Sequence, residues 1–280
     1  MNILKLSSLI LVFFFGSMST GYVCAEQEQI DLYKSSKFAL GIGTAIVKFD
    51  TNLKFSDKAT GNSSYLDLEG NLDLPEVSTV VTFYGAYQFK PKHSFSFSYF
   101  KINRESEIFN FDKTLEDVTV VGKASISDDT DFFRLDYGYN LFNDTHSKID
   151  LMAGIYALDL RYVFRAEGDI TVDGVTSSGS ILEEANVFAP LPLIGLNFKF
   201  RITDSWSFTT KVAFVSGSHD DLSANVFQTS INALYKVNRH FGVVMGLAYF
   251  DADVVIEDGS EKQEISYGYD GGYIGMHFYL

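Results

Sequence analysis

Tyr267-Gly268-Tyr269-Asp270-Gly271-Gly272-Tyr273-Ile274-Gly275-Met276-His277-Phe278-Tyr279-Leu280 closes the chain by alternating bulky apolar residues with polar or small ones. Period-two alternation is the pattern of a strand with one face against an apolar phase. A last strand of this kind leaves an unpaired edge, and pairing it with the first strand removes both edges of the sheet at once. The expectation is therefore closure. Ile274, Met276, Phe278 and Leu280 should face lipid, Tyr273, Gly275 and His277 the lumen, and the free edge should pair with the strand that begins at Phe38.

Outward from this strand the same pattern recurs in hairpins. Val81, Phe83, Tyr87 and Phe89 alternate with Thr82, Tyr84, Ala86 and Gln88, and after Lys90-Pro91-Lys92-His93 the residues Phe95, Phe97 and Tyr99 alternate with Ser94, Ser96 and Ser98. Bulky residues on one face and small polar ones on the other suit lipid outside and a lumen inside. Further hairpins run Phe132 to Phe142 with Lys148 to Tyr162, Leu193 to Ile202 with Trp206 to Val215, and Val226 to Val237 with Phe241 to Ile256. Their joining turns are short. The connections between hairpins, 103–131, 165–184, 216–225 and 257–264, are longer and acidic, an asymmetry typical of bacterial outer-membrane barrels with periplasmic turns.

The fold class expected is all-β, a closed antiparallel up-and-down transmembrane β-barrel over residues 38–280 with about ten strands. Eight or twelve stay open, because 107–126 and 166–181 carry strand-like patches, read here as strands that run past the membrane. In the first strand, Phe38, Leu40 and Ile42 oppose Ala39, Gly41 and Gly43, and the later bulky positions Val47, Phe49, Leu53 and Phe55 predict a slip of phase, as a bulge would give. Residues 57–74, with Gly61-Asn62-Ser63, read as a loop with strand-like flanks.

Residues 1–25 read as a signal peptide: Lys5, then the apolar run Leu9 to Phe15, then Val23-Cys24-Ala25 before a cleavage site ahead of Glu26. A lipoprotein would use Cys24, but Gly21-Tyr22-Val23 is a poor approach to it. Residues 26–37 form a polar periplasmic lead. Cleavage after Ala25 removes the single Cys, which leaves no disulfide to staple a small domain. Mean hydropathy is +0.05, and after the signal no apolar run reaches the ~18 residues a helical span needs. The 26 Phe and 16 Tyr favour strands. A net charge of −14 excludes a nucleic-acid partner, whose phosphates call for clustered Lys and Arg.

With the bulky face outward, Arg134 and Asp136, then Asn197, Lys199 and Arg201, then Lys211 face the lumen. They read as an internal polar network, with a narrow solute path as the sharper alternative. For catalysis the only candidates are His219 and Asp221 on an outer loop and Asp251 and Asp253 on one strand face, where His and carboxylates activate water in omptin proteases. That similarity stops at residue type, and Asp251 and Asp253 continue the lipid-facing stripe of Met245, Leu247 and Tyr249. No cofactor motif or metal-binding spacing is found. The acidic groups Asp128-Asp129-Asp131, Asp220-Asp221 and Glu257-Asp258 read as solvated loop charge, with cation binding beside lipopolysaccharide phosphates as the alternative.

The terminal residues Tyr273, Gly275, Phe278 and Leu280 resemble the signal read by the barrel assembly machinery, with Leu in place of the commoner terminal Phe. Together with Ala189-Pro190-Leu191-Pro192-Leu193-Ile194-Gly195-Leu196, Arg239-His240-Phe241-Gly242 and Tyr269-Asp270-Gly271, they make the last two thirds of the chain similar to a group of uncharacterised Gram-negative outer-membrane β-barrel proteins. The resemblance implies the outer membrane as location, its lipids and lipopolysaccharide and the assembly machinery as partners, and no catalytic residue. It leaves the oligomeric state open. The role expected is envelope structure, loop-mediated binding or narrow-pore passage, against a barrel enzyme for peptides or lipids.

Overall fold

The computed structural model describes residues 37–57, 63–107, 109–115, 118–172, 175–219, 222–259 and 261–280. The expected signal peptide and residues 26–36 of the lead lie outside the described residues, as do Asp220 and Asp221. Among the described residues the elements are β1 (Phe38–Asp57), β2 (Ser63–Asp67), α1 (Leu68–Asn71), β3 (Val77–Lys90), β4 (His93–Glu105), β5 (Phe109–Leu115), β6 (Val118–Asn143), β7 (Ser147–Val172), β8 (Val175–Arg201), β9 (Trp206–His219), β10 (Leu222–Lys236), β11 (Phe241–Asp258) and β12 (Glu261–Tyr279).

All twelve strands belong to one antiparallel sheet, and it closes through β12 on β1. The register runs without interruption from Ala39 opposite Tyr279 to Asp57 opposite Glu261, and Leu280 N–H donates to the Phe38 carbonyl at 2.9 Å. Following the ladder round, β1-β3-β4-β6-β7-β8-β9-β10-β11-β12 is a ring of ten. The short strands β2 and β5 are appended to β1 and β6 at the end away from the short turns. The sheet thus counts twelve strands while the barrel wall counts ten.

The phase slip expected in β1 is absent. Its pairing with both β12 and β3 is continuous, so Val47 and Phe49 share the inward face with Ala39. Both are buried, inside a core where bulky apolar groups are as welcome as they are against lipid. Register irregularities occur instead at Gln88/Lys90 and Asn140/Phe142, beside short turns. The span 57–74 also holds more order than a loop. After β2, Asp67 accepts a hydrogen bond from Gly70 N–H at 2.7 Å and caps the one-turn helix α1.

Crossing a bilayer takes about ten residues of tilted strand. β6, β7 and β8 have 26, 26 and 27 residues, so together with β5 they rise beyond the apolar belt as a sheet extension. The ladder of β8 to β9 stops at Ile194 opposite Phe214, just past Pro192 and Pro190, which have no N–H to donate. The outer face carries the belt itself: Leu247 is 66% exposed, Ile231 55%, Ile274 52% and Phe133 43%. Exposure of such a band is stable only in lipid.

Candidate functional site in the lumen

Period two turns alternate residues of each wall strand inward, and those residues stack in layers along the axis. Furthest from the short turns, Leu66, Leu68, Leu72 and Leu74 from the β2–α1 segment pack on Ala124, Ile126 and Ala166 of β6 and β7. This lid folds over the barrel mouth.

Beneath it lies a buried ionic cluster. The Arg104 guanidinium is fully buried, with Nη2 2.7 Å and Nε 3.0 Å from Asp128 Oδ2, and Nη1 2.6 Å from Glu69 Oε1 of α1. Glu69 Oε2 accepts the Thr51 N–H at 2.8 Å, the Thr130 hydroxyl donates to Asp128 Oδ1, and the guanidinium lies 4.3 Å from the Phe49 ring centroid. Glu69 thereby ties the lid to the wall. The acidic group Asp128-Asp129-Asp131 is accordingly split. Asp128 points inward to Arg104, while Asp129 lies 2.6 Å and Asp131 3.8 Å from Lys101 on the outer face.

Next comes an aromatic layer. Phe132 stacks on Phe100 with centroids 4.4 Å apart, and Phe250 stacks on Tyr156 and Tyr269 at 4.8 and 5.1 Å. Edge contacts from Phe132 to Tyr156 and Tyr269 join the two stacks, and the Tyr156 and Tyr269 hydroxyls share a 2.7 Å hydrogen bond. Phe49, Phe132 and Phe250 are each 1% exposed or less. The rings pack against one another across the bore.

Between this layer and the short-turn end is a cavity of about 310 Å³ that reaches rim residues Lys37 and Gln88. Its deep wall carries Arg134, Asp136, Lys148, Asp150, Lys199 and Lys211. Arg134 Nε lies 2.9 and 2.8 Å from the two Asp136 oxygens, and Nη1 donates to Gln228 Oε1. Asp150 is shared: Lys199 Nζ at 3.3 Å, Lys148 Nζ at 3.5 Å, Asn140 Nδ2 at 3.1 Å and Asn197 Nδ2 at 3.2 Å. Tyr273 donates to Asn232 Oδ1, and Tyr84 to the Met276 carbonyl at 3.1 Å. Arg134 Nη2, Asn197 Oδ1 and His277 Nε2 are buried without a hydrogen-bond partner.

The residues singled out from the sequence thus divide. Arg134, Asp136, Asn197, Lys199 and Lys211 line this cavity. Arg201 sits at the rim, with Nη2 donating to the Thr145 carbonyl at 3.1 Å. Tyr273 and Gly275 face in and Phe278 and Leu280 face out, at the lip. Asp251 and Asp253 lie on the outer face, where Asp251 borders a small pocket with Lys48, Asp50 and Asp270 that reaches Phe49 and Tyr269. The His219 side chain and all of Asp221 lie outside the described residues. Lys148, Asp150, Arg104 and Glu69 were not foreseen; parity with Asn140 along β6 and with Ser94 along β4 is the signal that points Asp128 and Arg104 inward. Among the described residues no group of three or more His, Cys, Asp or Glu is placed to hold a metal ion.

No protein-family model matches the chain, and no curated protein matches it in sequence. Solved structures do match in fold. The outer membrane protease OmpT from Escherichia coli aligns over 89% of this chain and 100% of its own, at 12% identity and a TM-score of 0.53. The outer membrane protein OprG from Pseudomonas aeruginosa aligns over 88% and 97% at 15% identity with a TM-score of 0.35, and a Pseudomonas aeruginosa FadL homologue over 88% and 91% at 9% identity, also with 0.35. At 12% identity the likeness to OmpT speaks for the fold alone, that of an outer-membrane β-barrel.

Proposed function

We propose that the chain is a bacterial outer-membrane protein with a barrel sealed against passage, which acts by binding at the surface it raises outside the cell. The observation that carries this reading is the closed aromatic layer, backed by the Arg104 cluster and the lid. A narrow solute path requires a continuous polar bore, and the polar lining here is interrupted by Phe132 and Phe250. The sheet extension of β5 to β8, well past the length a membrane needs, supplies the binding surface. The short turns then face the periplasm, as in other barrels of this architecture.

Several further parts belong to the same proposal. Residues 1–25 direct export and are removed; Tyr273, Gly275, Phe278 and Leu280 address the chain to the assembly machinery; the apolar belt meets outer-membrane lipids, and Lys101, Asp129 and Asp131 at its upper border meet lipopolysaccharide. OmpT is a protease by name, but Asp251 and Asp253 face away from the lumen here and give a barrel enzyme no support.

Planar-bilayer recording of refolded protein tests the reading. It predicts no conductance steps under either polarity. Reproducible single-channel steps from folded wild-type protein overturn it.

A further inference from the structure

The lumen cavity holds more positive charge than it can neutralise. Besides Lys37 at the rim, four cations, Arg134, Lys148, Lys199 and Lys211, share it with two carboxylates, Asp136 and Asp150. Asp136 is taken by Arg134, and Asp150 stands between Lys148 and Lys199. Lys211 lies between Asn197 and Ser230 in the ladders of β9 with its neighbours. Among the described residues no side chain makes an ion pair or a hydrogen bond with its ammonium.

A half-buried cation that no carboxylate pairs with is costly, and an anion that enters lowers that cost. Arg134 adds the directional element. Its Nη2 is buried without a partner, on a side chain only 7% exposed, while Nε and Nη1 are held by Asp136 and Gln228. A guanidinium fixed on one edge presents its free N–H groups in a set direction, which suits the oxygens of a carboxylate or phosphate. The volume of about 310 Å³ is at the lower end for small-molecule pockets. The aromatic layer makes the pocket blind, so access is from the short-turn end only.

We propose that this cavity is a binding site for a small multivalent oxyanion, a phosphate or a polycarboxylate, entering from the periplasmic side and held by Arg134 and Lys211. The site rests on the sealed-barrel reading only in being blind. Conductance and binding are read separately, so failure of one is distinguishable from failure of the other.

Isothermal titration of the refolded barrel, its folding checked by heat-modifiable gel mobility, with inorganic phosphate and with malonate at constant ionic strength tests the proposal. At least one should bind with a submillimolar Kd, and the preferred one assigns the class. Lys211→Met should weaken that binding at least tenfold. Should Lys211→Met fail to fold, Ser230→Asp, which sets a carboxylate opposite Lys211, should abolish binding in a barrel that keeps both lysine and wall. Absence of binding by both anions to folded wild-type protein, or unchanged affinity in a folded variant, overturns the proposal.

Discussion

Arg104 shows how one residue can hold a molecule shut. Its guanidinium joins the wall (Asp128), the lid (Glu69) and the aromatic layer (Phe49), and neither Arg104 nor Asp128 can turn to water for compensation. Removing one member of a buried pair strands the other charge, at a cost of about 3–5 kcal/mol, whereas replacing both by apolar groups is often close to neutral. Arg104→Met should therefore lower the urea-unfolding free energy in detergent by about 3–5 kcal/mol. Adding Asp128→Leu should restore most of the loss, since Glu69 can reach solvent at the lid margin. A smaller loss in the double variant than in the single one is the measurement that checks it. None of this stands in the local sequence around Asp128, which reads as three solvated acids; parity along β6 makes its inward direction legible, but its partner lies on another strand.

At the scale of elements, the short turns are set by side chains that satisfy the backbone where the ladder ends. Asp144 is the clearest. Its Oδ1 accepts the His146 and Ser147 N–H groups, both at 2.7 Å, and Oδ2 accepts the Ser147 hydroxyl at 3.0 Å. The backbone donors from His146 and then Ser147 stabilise the carboxylate and hold it below its ordinary pKa. A group depressed in the folded state contributes stability that is fully present above its unfolded value and is lost as pH falls through the folded one. Asp144→Asn should flatten the acid limb of the stability profile from the ordinary carboxylate pKa downward, with little change in slope above it. Unfolding midpoints of both proteins across that range decide the matter. The hairpin and the turn from Asn143 to His146 are readable from alternation and turn residues alone, because both signals are local. The sheet extension is only half readable: 107–126 and 166–181 carry strand patterns, yet their pairing into one blade depends on neighbours far along the chain.

For the whole molecule, closure is the decisive event. β1 and β12 lie at opposite ends of the described chain, and their ladder is what leaves the ring with no free edge in lipid. Deleting Phe278 to Leu280 shortens that ladder at the lip, where Phe278 packs on Phe241 and Tyr279 pairs with Ala39. The truncated chain should insert into membranes far less than the full chain while soluble levels before insertion stay the same. The membrane fraction and heat-modifiable mobility are the readouts, and normal insertion of the truncated chain counts against the role assigned to this end.

The sequence by itself determined the class of fold, because a lipid-facing barrel wall writes its period-two pattern into every strand and its asymmetry into the turns. It also determined which face of the last strand looks outward, from Ile274 to Leu280. Only the tertiary structure decided that aromatic rings meet across the bore and that no side chain among the described residues pairs with the Lys211 ammonium. Val47 and Phe49 explain why. An apolar residue against lipid and one against a buried ring carry the same hydropathy, so a plug is invisible to pattern until the ring of strands brings Phe49, Phe132, Phe250 and Tyr269 together. Charge balance in the lumen is likewise a sum over four strands, β6 to β9, and no single stretch contains it.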